Sequence, residues 1–153
     1  MRIGRSATLL ISILLTFVTA ACSNVDLQIS SKDDGAGGIE IINKGAPTSI
    51  ESVAVNSDDC PLKLYQLFGA LSDQLGAPRS YLAVTEEQAG QSQFISDKQP
   101  KSVSLATGDE VSIGIPMFSV QGLVLGFVGA KGCGNKLVNL TVNTSEGPYL
   151  YHW

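Results

Sequence analysis

Three cysteines, a single histidine and a few acidic pairs are the residues of this 153-residue chain whose side chains could do chemistry. Cys22 closes the stretch "LLTFVTAACS", Cys60 follows Asp58 and Asp59, and Cys133 lies in "AKGCGNK". A cysteine can carry a lipid, close a disulfide or act as a nucleophile, and the last role needs a thiolate with a base in reach. His152, in "YLYHW", falls on the opposite face of an extended segment from Tyr149, Tyr151 and Trp153, because side chains alternate along a strand. A solvent-side place suits it better than catalysis. Asp33-Asp34 and Asp58-Asp59 offer oxygen donors, but neither pair has the loop spacing of a calcium site. No Gly-x-Ser-x-Gly elbow and no phosphate loop occur, which argues against the hydrolases and nucleotide enzymes built on them. The expectation is a protein without catalytic residues, metal or cofactor.

The element that positions Cys22 is a leader. Arg2 and Arg5 precede an apolar run over Ala7–Val18, about twelve residues long as in a signal-peptide core and short of the ~20 that a spanning helix needs. Thr19-Ala20-Ala21 then supplies the small residues that a signal peptidase accepts. Ala20, Ala21 and Cys22 together resemble the lipobox of bacterial lipoproteins, with Thr19 standing where leucine is commonest. The resemblance covers the first 22 residues and implies a signal peptide over 1–21, cleavage before Cys22, diacylglycerol on its sulfur and usually an N-acyl chain. Several chains on one residue make a lasting anchor, since each buried methylene contributes ~0.8 kcal/mol. The alternative is an ordinary leader cut near Ala21, with Cys22 an incidental thiol. By the sorting pattern of enteric lipoproteins, Ser23 after the cysteine implies the outer membrane, facing the periplasm.

Cysteine parity agrees with lipidation, because setting Cys22 aside leaves Cys60 and Cys133 as a pair. In an oxidising envelope such a pair is expected to close a disulfide. Cysteine transpeptidases of the bacterial wall present a superficially similar Gly-Cys, but theirs has Ser and Gly before the cysteine, Arg after it and His upstream. Here Lys131-Gly132 precedes, Gly134-Asn135 follows and His152 lies downstream.

Losing the leader removes Arg2 and Arg5, leaving eight cations against fourteen acids, a net charge of about −6. The eight are scattered, so neither nucleic acid nor an anionic headgroup layer is an expected electrostatic partner. Residues 22–38, "CSNVDLQISSKDDGAGG", are polar and glycine-rich and read as the lipidated terminus and a flexible tether. Against this, Val25–Ile29 alternates well enough to be a first strand. Residues 39–153 suffice for one domain.

Within that domain period two dominates. "GIEIIN" and "TSIESVAVN", parted by Lys44-Gly45-Ala46-Pro47, read as an early hairpin. "SVSLA" and "EVSIGI" repeat the pattern around Thr107-Gly108-Asp109, until Pro116 ends it. "FSVQGLVLGFVGA" carries glycines that suggest bends, and "LVNLTVNT" with "YLYHW" reads as a closing hairpin. Leu64, Leu67, Phe68, Leu71 and Leu75 fall at helical spacing, predicting a short helix over Leu64–Leu75, although Pro61–Tyr65 also reads as a strand continuing from Cys60. "EEQAGQSQFISDKQPK" reads as a long polar loop. About seven strands with one short helix make the expected fold mainly β, a β-sandwich, and "IEIINKGAPTSIESVAVN" with "LATGDEVSIGI" resembles strands of immunoglobulin-like bacterial domains. That resemblance implies a fold and no function. The expected function is a non-enzymatic envelope protein, held to a membrane through lipid, that binds another envelope protein or supports an envelope assembly. The alternative is a lipoprotein binding a small ligand or wall component between Glu86–Lys101 and Leu64–Leu75.

Overall fold

A computed structural model describes residues 24–32, 38–56, 60–67, 80–119, 122–123 and 125–152. They form nine strands: β1 (Leu27–Lys32), β2 (Gly38–Asn43), β3 (Thr48–Val55), β4 (Cys60–Gln66), β5 (Ser80–Val84), β6 (Val103–Leu105), β7 (Glu110–Gly114), β8 (Asn139–Thr144) and β9 (Gly147–His152). A short helix, α1 (Glu86–Gln91), follows β5, and a 3-10 turn over Pro116–Phe118 follows β7. The fold is mainly β. All strands join one sheet in the order β1-β2-β7-β5-β4-β3-β8-β9, with β6 paired to β3, and only β5 and β7 run parallel.

Two corners fold this sheet back into a nearly closed barrel. At the first, β4 changes partner: Cys60–Lys63 pairs with β3, whereas Lys63–Gln66 pairs with β5. The place it leaves along β3 is taken by β6, opposite Thr48–Ile50. At the second, β2 and β3 do not form the expected early hairpin. β2 pairs with β1 and β7, and β3 with β4, β6 and β8. Asn43 makes the corner. It is fully buried, and its side-chain Nδ2 donates to the carbonyl oxygens of Ala46 (2.9 Å) and Leu105 (3.2 Å), while its Oδ1 accepts from the Gly45 N–H (3.0 Å). Its main chain bonds the neighbouring corner, with Asn43 N donating to Asp109 O and Gly108 N to Asn43 O. One amide side chain thus fills the hydrogen-bonding gap where two strand pairs turn together, as a buried polar group must.

Alternation puts Ile39 and Ile41, Val111 and Ile113, Leu62 and Leu64, and Leu140 and Val142 into one core, each under 2% exposed. In β3 the inward phase changes from Thr48 and Ile50 to Val53 and Val55 across a register shift between Ile50 and Ser52. A bulge is what moves a strand's apolar set by one residue without turning it to solvent. The closing hairpin of β8 and β9 is present, and Tyr149 and Tyr151 pack half-buried against the core. His152 is exposed, and Trp153 lies outside the described residues.

Several expectations are corrected. The alternation at Val25–Ile29 belongs to a strand: Leu27–Lys32 pairs in full with β2, burying Leu27 and Ile29, so this stretch is no tether. The fold begins earlier still, since Lys44 N donates to Asp26 O and Ala46 N to Asn24 O. Gly45 allows this close approach, because a Cβ there would lie 2.1 Å from Asn24 O. Leu64–Gln66 is part of β4, not the start of a helix, since Leu64 and Tyr65 are needed on opposite faces of the sheet; residues 68–75 lie outside the described residues.

The helix stands where a polar loop was expected. Thr85 caps it: the Gln88 N–H donates to Thr85 Oγ1, and the Thr85 N–H donates to Gln88 Oε1 (3.0 Å), a reciprocal capping box that satisfies two otherwise orphaned amides. Glu86 and Glu87 in the first turn complement the helix dipole. On the outer face of β4 and β5, α1 and its flanking chain cover a second core of Tyr65, Leu67, Leu82, Val84, Ala89, Ile95 and Phe127. Thr85→Ala is expected to lower stability by about 1 kcal/mol, as loss of an N-cap does, and to loosen α1 first. Hydrogen exchange of the Gln88 and Ala89 amides is the check.

Candidate functional site

The chemistry-bearing residues that the structure does bring together lie at the end of the barrel where β3 finishes. Cys60 opens β4, and Cys133 sits in the irregular segment leading to β8; a disulfide joins them, and each is 1% exposed. With both sulfurs bonded to each other, Cys133 is no thiolate nucleophile. Asn56 fixes the same segment. It takes the left-handed conformation at φ 54°, a geometry asparagine tolerates. Its Nδ2 donates to the carbonyls of Cys133 and Lys136, and its Oδ1 accepts from the Val138 N–H at 3.0 Å. On the other side Gln88 Nε2 donates to Val128 O at 2.6 Å. A stretch without regular structure is therefore held by a covalent bond, by Asn56 and by α1.

Between the disulfide and α1 lies an open groove of ≈550 Å³, lined by Cys60, Pro61, Lys63, Thr85, Glu86, Glu87, Lys131 and Cys133. Its charged rim pairs Lys63 with Glu86 across β4 and α1. The hydrogen bond to Glu86, reinforced by its charge, holds the Lys63 ammonium above its ordinary range. Burial, and then the Glu86 charge, push the Tyr65 phenol up. Both side chains of the Lys63–Glu86 pair are exposed, so it orders the rim more than it stabilises the fold. A smaller depression of ≈220 Å³ follows, between Gln88–Gln93 and Leu125–Val128.

The expected pocket of Leu64–Leu75 with Glu86–Lys101 is only partly in view. Tyr65, Leu67 and Ile95 are spent in the second core. Further along that stretch Lys101 pairs with Asp97, and its hydrogen bond holds the Asp97 carboxyl below the usual carboxylate range. Cys22, Asp33, Asp34, Asp58 and Asp59 lie outside the described residues. Among the described residues no group of three His, Cys, Asp or Glu could hold a metal ion, and no helix is long and apolar enough to cross a membrane.

Pattern reading missed Asn43 and Asn56. Asn43 is the last residue of β2 and Asn56 the first after β3, places where the chain must turn and an amide can serve several main-chain groups at once. "TEEQ", Thr85–Gln88, was a legible helix start. No protein-family model matches the chain, no curated protein matches it and no solved structure matches it.

Proposed function

We propose that this chain is a lipid-anchored protein of the bacterial cell envelope, not an enzyme, which binds another envelope protein or supports an envelope assembly. The observation that carries the reading is the leader ending in Ala20-Ala21-Cys22, with Cys60 and Cys133 bonded to one another and Cys22 left as the odd cysteine. Lipid on Cys22 accounts for an exported chain with an uneven cysteine count. The membrane is the outer one, facing the periplasm, on the residue Ser23. An immunoglobulin-like sandwich is the finer reading of the fold; the passage of β4 from β3 to β5, which divides the sheet into two faces over one core, supports it.

The surface proposed for the partner is the disulfide end, where Lys63, Glu86, Glu87 and Lys131 rim the groove and Gln88 bonds the carbonyl of Val128, itself 68% exposed. Cross-linking in cells followed by affinity purification from envelope extracts tests it. A specific envelope protein is expected with the wild-type chain and not with Cys22→Ala; identical recovery from both argues against the reading. The ≈550 Å³ of the groove favours a second reading, a small ligand or wall component bound there, since ligand clefts fall in the range ~300–1,000 Å³.

A further inference from the structure

We infer that the bilayer faces one particular end of the barrel, the end built by Asn24–Asp26, the β2–β3 corner and the β6–β7 and β8–β9 turns, and that the disulfide groove is held at the opposite end. The inference rests on the reading of Cys22 as the lipidated residue.

Covalent reach comes first. Asn24 is two residues from Cys22, and an extended chain covers at most ~3.6 Å per residue. The lipidated Cα therefore stays within roughly 7 Å of the Asn24 Cα. Asn24 is not free to wander. Its carbonyl accepts from the Ala46 N–H at 3.0 Å, and two residues on Asp26 O accepts from Lys44 N at 2.7 Å. These bonds seat the segment directly on the β2–β3 corner, and the lack of a side chain at Gly45 lets the two backbones meet.

The rest of that end follows from register. Thr107 Oγ1 donates to Gly45 O at 2.8 Å, bringing the β6–β7 turn beside the corner. Ser145 N donates to Ser49 O at 2.9 Å, bringing the β8–β9 turn there too, and Val25 shares a depression with Thr144, Glu146 and Tyr149. Lys44, Ala46, Pro47, Ala106 and Thr107 are all exposed on it.

β3 then measures the distance to the other end. It runs from Thr48 beside this corner to Val55, which pairs with Cys60. Eight residues of strand at ~3.3 Å each span roughly 25 Å. With no slack between lipid and fold, the chain sits on the membrane surface and presents Lys63, Glu86, Lys131 and Val128 away from it.

The test uses the full chain, exported and processed in cells, then reconstituted in vesicles of phosphatidylethanolamine and phosphatidylglycerol carrying bromine on their acyl chains near the headgroup. Single tryptophans are placed in a Trp153→Phe background: Ala46→Trp and, as a second position at the same end, Ala106→Trp; Val128→Trp reports on the far end. Each preparation is checked for acylation by intact mass and for folding by circular dichroism. Quenching of Ala46→Trp or Ala106→Trp, with Val128→Trp emission unchanged from unbrominated vesicles, is expected. Acylated protein in which no position is quenched, or in which Val128→Trp alone is quenched, overturns the orientation and leaves the lipid anchor standing. Protein without acyl mass on Cys22 overturns both.

Discussion

A chain with Cys60→Ser and Cys133→Ser is expected to be less stable than the wild type by about 4 kcal/mol, the chain-entropy value for a closed loop of this size. The cross-link joins residues 73 apart, so it removes a large part of the freedom of the unfolded chain. It also has a local job. The segment from Leu125 to Val138 forms no strand and no helix, and without the sulfur bridge it keeps the bonds from Asn56 and Gln88, a few turn bonds such as Cys133 N to Ala130 O, and the packing of Phe127. Urea unfolding of the purified variant gives the free energy, and the wild type under reductant is expected to shift by the same amount. Cys22→Ala, measured beside them, is expected to unfold as the wild type does. A destabilised Cys22→Ala would mean that this cysteine takes part in the fold.

The second large effect is expected at Asn43. Asn43→Ala leaves the carbonyls of Leu105 and Ala46 and the Gly45 N–H without their partner at a fully buried position. Stranding buried polar groups costs about 1–3 kcal/mol each, less where the corner relaxes to admit water, so a loss of about 3 kcal/mol is expected. Asn43→Asp keeps the shape but cannot donate, and it sets a carboxylate against two carbonyl oxygens. It is expected to be worse than Asn43→Ala at neutral pH and to recover part of the difference in acid, where a protonated carboxyl donates again. Thermal unfolding of both variants at neutral and acidic pH checks the order.

These two sites differ in how far the sequence reveals them. The cysteine pair is legible because the expected lipid on Cys22 and the expected oxidising envelope leave Cys60 and Cys133 to each other, whatever the fold. Asn43 is invisible to that kind of reading: its place depends on β6 and β7, some sixty residues away, turning at the same corner. The same non-local pairing defeats the early hairpin. Two strands joined by four turn residues usually pair, but β2 and β3 each find their partners elsewhere in the sheet.

Alternation, by contrast, fixes which side chains face inward even where the partner strand is misjudged. Val103 with Leu105, and Val111 with Ile113 and Ile115, all reach the core as their spacing implies. Leu64, the first leucine of the helical spacing, misled because a sheet covered on both faces buries consecutive residues. Leu64 serves one core and Tyr65 the other, which erases the period-two signature. Of the groove, only the Glu86–Glu87 wall falls in the stretch expected to line a pocket. The groove exists because β4, α1 and the Cys133 segment meet there, and no local pattern encodes that meeting.

Everything proposed about location and orientation depends on lipid at Cys22. Metabolic labelling with a clickable fatty acid, comparing the wild-type chain with Cys22→Ala and reading the intact mass of the mature protein, tests this most directly. The account predicts a mature chain that begins at Cys22, carries the added mass of diacylglyceryl and takes up label that Cys22→Ala loses. A mature chain that begins elsewhere, or one with an unmodified Cys22, would contradict it.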